Sequence, residues 1–469
     1  MTASSAAAEA PPRPLRTSGT KIVDGFGEEI RLRGVCVGGW LNMENFITGY
    51  AANESLMRKR VREAIGEEKY ERFFERLLGA FFAEDDARFL GEAGLNSVRI
   101  PVNYRHLESD AKPFEILEDG FRHLDRAIEE CGRHGVYTMI DLHALPGGQN
   151  HDWHADNPTH VAAFWEHPHF QDRVVNIWEA IATRYRDNPS VGGYNLINEP
   201  ADESRQVVGP FYARLVAAIR AIDPDHILFL DGNTYATQFD VFPDEPEDNA
   251  VYTLHDYVSA GLGRGGPYPG TTMDGVWFDK AKVEDKFLQR SEYARRTGTP
   301  IFVGEFSPIY TGDPETDAQR RQILADQLEI YRRYDAGWAT WMYKDLGRQG
   351  LVGVRPDSPY LQRFGDFVAK KDRLGADHWG STGEGIREVT QPVQDMIAAE
   401  FPGFDPYPWG RFDYVRRLLL NILTAQPLTY EYADLFRGLD DSELDALADS
   451  FAFANCTVRE TLLEQLKEG

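Results

Sequence analysis

Two glutamates, each closing a short apolar run, carry the most chemical potential in this 469-residue sequence: Glu199 after GGYNLIN and Glu305 after PIFVG. Arg99, His143, Asn198, His255, Tyr257 and Trp341 are read as strand-end residues of the same kind of run. Singly, each has an ordinary explanation. Arg99 fits a rim ion pair, either histidine a hydrogen-bonded core residue, Trp341 simple packing, and Asn-Glu-Pro a chance tripeptide. As a set they do not, because polar groups end six of the eight apolar runs, and burying two carboxyls near one axis is costly unless they are paired or used. Two carboxyls opposed across a cleft suit cleavage of a glycosidic bond, whose oxocarbenium-like transition state needs an acid on one side and a nucleophile or base on the other. A separation of about 5 to 5.5 Å would imply retention of configuration.

The elements that must position these groups follow from the apolar patterning. Strand-like runs lie at 32–37, 96–102, 136–143, 192–200, 226–233, 251–257, 300–306 and 337–345. Amphipathic segments such as FRHLDRAIEECGRHG, DRVVNIWEAIATRYRDN and DAQRRQILADQLEIYRRYDAG separate most of them. Parallel strands need crossover helices, and continuously apolar strands need cover on both faces, so the alternation predicts an α/β fold, a (β/α)8 TIM barrel with a short helical C-terminal extension. A doubly wound open sheet is the competing architecture; no GxGxxG or P-loop follows the first strand to support it. The expected organisation is a disordered leader over 1–20, a barrel over 21–402 and an extension over 403–469. KIVDGFGEEI reads as a hairpin plugging the barrel bottom, and the helix around EVTQPVQDMIAAEF as the one that closes the ring. The extension contains FDYVRRLLLNILTA and SELDALADSFAFA and is compatible with flank packing, capping of the cleft or a dimer contact; the oligomeric state stays open.

Composition narrows the partners. Hydrophobic residues at 42% and aromatics at 12% suffice for a large core and leave rings for a binding cleft. With 75 acidic against 50 basic residues the formal charge is -25, which repels nucleic acid and anionic membranes. The three cysteines Cys36, Cys131 and Cys456 have no metal-ligand or disulfide spacing. The first 20 residues lack the apolar core of a secretory signal and no run is long enough to span a membrane, so a cytoplasmic location is expected.

The ordered set SVRIP, DLH, NLINEP, LHDY, VGEF and WATW resembles glycoside hydrolase family 5 of clan A over roughly residues 30–401. LRGVCVGGWLNMENF and DLHALPGGQN resemble its exo-β-1,3-glucanase and β-glucosidase branch, while HDWHADNP after PGGQN departs from it. The resemblance implies Glu199 as general acid/base and Glu305 as nucleophile. Arg99 and Tyr257 would favour the charge on Glu305, Asn198 would bind the sugar 2-hydroxyl, and His143 and His255 would orient neighbouring groups. Trp341 would form the platform under the ring, and Glu44 would bind hydroxyls at the non-reducing end. Asn150 and Trp153 are further substrate-binding candidates, with His151, His154 and Trp165 as possible lining. To act as an acid, Glu199 needs a raised pKa, expected from burial and from Glu305.

These roles imply a retaining, exo-acting glycosidase of β-glucosides or β-1,3-linked glucooligosaccharides, with no metal and no cofactor. The same mechanism on another sugar, by an α-L-arabinofuranosidase, β-D-galactofuranosidase or β-mannosidase, is an alternative, because a barrel does not fix its substrate. A non-catalytic carbohydrate-binding barrel is the alternative of another class.

Overall fold

The computed structural model describes residues 12–263, 265–273, 275–377, 379–381 and 383–469. Its centre is a closed barrel of eight parallel strands. These are β1 Arg33–Cys36, β2 Ser97–Asn103, β3 Tyr137–Ala144, β4 Val191–Asn195, β5 Ile227–Asp231, β6 Ala250–His255, β7 Ile301–Glu305 and β8 Gly337–Thr340. They pair in chain order, and β8 closes onto β1 with Trp338 opposite Arg33 and Thr340 opposite Val35. Each overlaps one of the eight runs expected from the sequence. Every residue of β2, β3, β4, β5, β6 and β8 is buried, which is why those runs are continuously apolar rather than alternating. The covering helices carry their apolar residues in a stripe. Glu67–Phe81, for example, buries Tyr70, Phe73, Phe74, Leu77, Leu78 and Phe81 at helical spacing.

Residues 1–11 of the expected leader lie outside the described residues. The remainder is ordered, which corrects the boundary at 20: Arg16–Ser18 pairs antiparallel with Lys21–Val23, and Val23 bridges Glu29 across the glycine turn. A Cβ on Gly192 of β4 would lie 3.6 Å from Leu15, and Arg13 N–H donates to Tyr137 Oη at the start of β3, 3.1 Å away. The hairpin thus covers the N-terminal mouth of the barrel.

The closing helix also differs from expectation. EVTQPVQDMIAAEF does form a helix, Arg387–Glu400, but it leaves Val389 and Met396 exposed. The place between β8 and β1 is taken by the last helix, Glu460–Glu468. Gln465 Nε2 donates to Arg321 O at 2.9 Å and Arg332 Nη1 to Glu468 O at 2.7 Å, both from helix Pro314–Arg333, while Arg33 of β1 reaches Gly469 O at 3.2 Å. Cys456–Val458 adds a strand to Lys344–Asp345 and Val352–Val354, and helix Asp441–Asp449 lies along Glu67–Phe81 through the Arg72–Asp445 and Arg76–Asp449 ion pairs. The extension is helical, as expected, and it forms part of the barrel wall. Among the described residues no helix is long and apolar enough to cross a membrane.

Candidate active site

The C-terminal ends of the strands bring most of the sequence-predicted residues into the lining of one cavity of about 710 Å3, while Arg99, Asn150 and Asn198 are not part of that lining. His143 is near the end of β3, His255 ends β6, Glu305 ends β7, and Glu199 and Trp341 follow β4 and β8. Arg99 differs: it lies inside β2, fully buried, and its long side chain reaches up to the others. Two backbone irregularities aim the carboxyls. β6 and β7 slip register after Leu254, so that His255 pairs with Glu305 and Gly304 is the extra residue. A Cβ at Gly304 would stand 2.5 Å from Thr253 and 3.0 Å from His255 Nε2, so only glycine fits there. Glu199 itself takes a left-handed conformation, φ 46°, uncommon for a residue with a side chain. Its N–H donates to Asp231 Oδ2 at 3.0 Å and its carbonyl accepts Asn150 Nδ2 at 3.1 Å, which holds the strained turn.

Both Glu305 oxygens are engaged. Arg99 Nη1 donates to Oε1 at 2.7 Å and Tyr257 Oη donates to Oε2 at 2.8 Å. The same guanidinium holds Asn195 Oδ1 at 2.9 Å, Asn198 Oδ1 at 2.7 Å and Asp141 Oδ2 at 3.2 Å. Burial pushes Asp141 up to about 7 against the pull of Arg99. Glu199 meets His255 Nδ1 at 2.7 Å through Oε1 and His154 Nε2 at 3.0 Å through Oε2. Burial lowers His255, but Glu305, Glu199 and Asp231 outweigh it and hold the ring above its usual value. For Glu199, burial raises the carboxyl as expected; opposing it are the two imidazoles, which as cations hold it below the usual carboxylate range. Burial lowers His154 in turn, but Glu199, Glu44 and Asp152 outweigh it and lift the ring to about 9. The expected rise, credited to burial and Glu305, is corrected: beside cationic imidazoles the shift is downward, because their hydrogen bonds and charge outweigh burial.

The sugar-facing candidates also converge. Glu44 Oε1 is buried without a hydrogen-bond partner among the described residues, with His143 Nε2 at 3.5 Å, and burial raises its pKa. His143 is oriented by Asp141 at 2.6 Å and stacks on Trp341, centroids 5.5 Å apart and planes at 10°. A Cβ on Gly38 would stand 2.7 Å from the Trp341 ring, so the position of that ring depends on the glycine. Asn198 is committed within the protein, to Arg99 and at 3.3 Å to His143, and Asn150 likewise, to Glu199, His154 and Asp152. Trp153 and His154 line the cavity, whereas Trp165 is buried away from it, donating to Gln149 O at 2.8 Å, and His151 sits behind the wall against His160.

The far wall is formed by residues that the sequence did not single out. One face of helix Gly410–Arg417 and the residue before it, Trp409, Phe412, Asp413, Arg416 and Arg417, lines the cavity together with Trp379 and Tyr235. Arg417 pairs with Asp152 of the HDWHADN segment, Tyr235 Oη donates to Asp152 Oδ2 at 2.8 Å, and Trp409 packs on Tyr235 at 5.0 Å. Capping is therefore among the extension's roles. The available signal was the i, i+3, i+7, i+8 recurrence of aromatic and basic residues in WGRFDYVRR. Asp141 and Asp231 were legible as acids inside apolar strand runs.

Ligating atoms of Glu199, His255 and Glu305 all lie within 4.8 Å of one another. A cation could be imagined there, but the Arg99 guanidinium on Glu305 already supplies positive charge and opposes a second one. The same figure sets a carboxylate oxygen of Glu199 within 4.8 Å of one of Glu305.

A family model for cellulases, glycosyl hydrolase family 5, matches residues 74–347. A β-xylosidase of Phanerodontia chrysosporium is 44% identical, over 97% of this chain and 98% of that protein. A probable glucan 1,3-β-glucosidase A of Aspergillus clavatus is 26% identical, over 77% of this chain and 95% of that one. A solved endogalactoceramidase shares the fold, with a TM-score of 0.52 at 18% identity over 71% of this chain and 75% of that one.

Proposed function

The chain belongs to glycosyl hydrolase family 5 and is a retaining hydrolase of β-glycosides; from that premise we propose an exo-acting β-xylosidase in which Glu199 is the general acid/base and Glu305 the nucleophile. The observation that carries the roles is that a carboxylate oxygen of Glu199 lies within 4.8 Å of one of Glu305, which suits the roughly 5 to 5.5 Å of retaining pairs better than the about 6.5 to 9.5 Å that inverting pairs open for a water. Glu305 attacks the anomeric carbon while Glu199 gives its proton to the departing oxygen. A covalent glycosyl-enzyme forms. Glu199 then takes a proton from water, which attacks the same carbon and frees Glu305. Arg99 and Tyr257 hold the attacking carboxylate in position, and Glu44 and His143 offer hydrogen bonds to the sugar over the Trp341 ring. A non-catalytic barrel is not supported, since both carboxyls and their partners are in place.

The xyloside reading is supported by the 44% identical relative of nearly equal length. A β-glucoside reading, expected from GGWLNMENF and PGGQN, is supported by the glucan 1,3-β-glucosidase relative. Kinetics on nitrophenyl β-xyloside and β-glucoside separate them. The xyloside is expected to have the higher kcat/KM by about 10-fold or more, the worth of one hydroxymethyl group in a closed pocket. A higher value for the glucoside overturns the xylosidase reading, and no turnover of either overturns the roles of both glutamates.

Exo action is supported by the wall that the Asp152–Arg417 pair closes across the cavity. Trp379, Trp409 and Phe412 remain to receive the leaving group. Replacing Trp409 and Phe412 together by Ala is expected to raise KM about 10-fold, at about 0.5 to 1.5 kcal/mol per ring. It should not slow reactivation of enzyme trapped with a 2-fluoro glycoside; slowed reactivation would put these rings on the sugar side. Glu199→Ala is expected to be rescued by azide with a β-configured glycosyl azide as product, identified by proton NMR. An α product would refute retention at this site.

A further inference from the structure

The contact between Glu199 Oε2 and His154 Nε2, 3.0 Å, has a third member, because Asn150 Nδ2 stands 2.8 Å from the same imidazole nitrogen. The orientation of that amide is set by its other bonds. Asn150 Oδ1 accepts Asp152 N–H at 3.0 Å, and Nδ2 donates to the Glu199 carbonyl at 3.1 Å. Turning the amide over would oppose N–H to N–H at Asp152 and oxygen to oxygen at Glu199, so the network assigns an N–H pointing at His154 Nε2.

Three proton arrangements then fail and one does not. A cationic His154, or the neutral form protonated on Nε2, sets its N–H against the Asn150 N–H. The form protonated on Nδ1 beside an ionised Glu199 sets a lone pair against a carboxylate oxygen. With Nδ1 protonated and Glu199 as the carboxylic acid, both neighbours are donors sharing the one Nε2 lone pair in a three-centre bond, and this is the one arrangement that sets no N–H against another on that nitrogen and no lone pair against a carboxylate. His154 Nδ1 has no partner among the described residues, so it is free to hold the hydrogen.

We infer that Asn150 and His154 are positioning residues that keep the transferable proton on Glu199 in the resting site, Asn150 acting through His154. This rests on Glu199 being the acid. The charges around the pair would otherwise favour a cation: Glu199, Glu44 and Asp152 act on His154, with His143 and Tyr235 packed on its ring at 5.7 and 6.1 Å and Arg417 beyond Asp152. On the other side Glu199 faces His255, which also neighbours Glu305 and Asp231. The Asn150 amide is the group that opposes a cation at His154. In turnover the proton leaves Glu199 for the glycosidic oxygen as the C1–O bond breaks and the C1–Glu305 bond forms, and water restores it.

The test is the pH profile of kcat/KM with xylobiose, whose leaving group needs the acid, and with 2,4-dinitrophenyl β-xyloside, whose leaving group does not. In Asn150→Ala the proton can pass to His154, so the basic limb for xylobiose is expected to move down by about one pH unit, with a smaller loss on the dinitrophenyl substrate. His154→Phe removes the acceptor and is expected to move the limb the same way. An upward shift in His154→Phe means an imidazolium had been holding the carboxylate ionised, and overturns the inference. So does an unmoved limb in Asn150→Ala. Should either variant fail to fold, nitrogen-15 NMR of histidine-labelled wild-type protein at pH 6 decides: a neutral Nδ1–H signature for His154 is expected, and an imidazolium signature overturns it. Loss of dinitrophenyl turnover in the wild-type protein would instead defeat the reading of the site itself.

Discussion

Glu305→Gln is expected to lower kcat by roughly 10^4-fold or more, the scale seen when a nucleophile acting in concert with its partners is removed. The substitution is nearly isosteric. An amide oxygen can still accept from Arg99 at the present 2.7 Å, and Tyr257 Oη can turn to accept from the amide nitrogen, so the site keeps its shape while losing the lone pair that attacks carbon. The complementary measurement is mass spectrometry of wild-type protein after a 2-deoxy-2-fluoro β-xyloside, with the label expected on the peptide containing Glu305. A label on another residue, or a variant with kcat within about 10-fold of wild type, removes Glu305 from the nucleophile's role.

Lys344→Met is expected to cost about 3 to 5 kcal/mol of stability, because it leaves an uncompensated buried charge. Lys344 and Asp86 are both fully buried. The ammonium donates to Phe81 O at 2.6 Å, Asp86 Oδ1 at 2.7 Å and Phe451 O at 2.8 Å, using all three hydrogens. Phe81 ends helix Glu67–Phe81, and Phe451 lies in the extension, so this one group pins the extension to the barrel. Urea denaturation measures the loss, and adding Asp86→Asn is expected to recover part of it by removing the stranded carboxylate. A change below about 1 kcal/mol would mean that water reaches Asp86 when the lysine is gone. The same packing implies that deleting residues after Phe401 removes a barrel wall and one side of the cavity.

Much of the site was legible because a parallel barrel converts chain order into spatial order. Glu199 after NLIN and Glu305 after IFVG are local observations, yet strand four and strand seven have only one way of facing each other once eight strands close. His143, His255, Tyr257 and Trp341 followed from the same rule. His154 did not: HDWHADN carries no periodicity, and what draws its second histidine onto Glu199 is the left-handed turn of Glu199 and the Asn150 amide beside it. Arg99 was placed at a strand end, whereas it lies within β2 and works through the length of its side chain.

The amino-acid sequence by itself determined the barrel, its eight strands and the two carboxyls, since strand burial on both faces and the polar residues that end each strand are short-range properties written in consecutive residues. Tertiary structure alone decided how the barrel is closed and how its mouth is walled. The last helix sits between β8 and β1, and Arg417 meets Asp152 across 265 residues of chain. Such contacts join surfaces whose complementarity exists only after the intervening chain has folded, and no local pattern encodes a partner that far away. The proton on Glu199 belongs to the second kind: its place depends on the Asn150 amide and the His154 ring, brought together by a loop that the sequence marked only as a departure from its family.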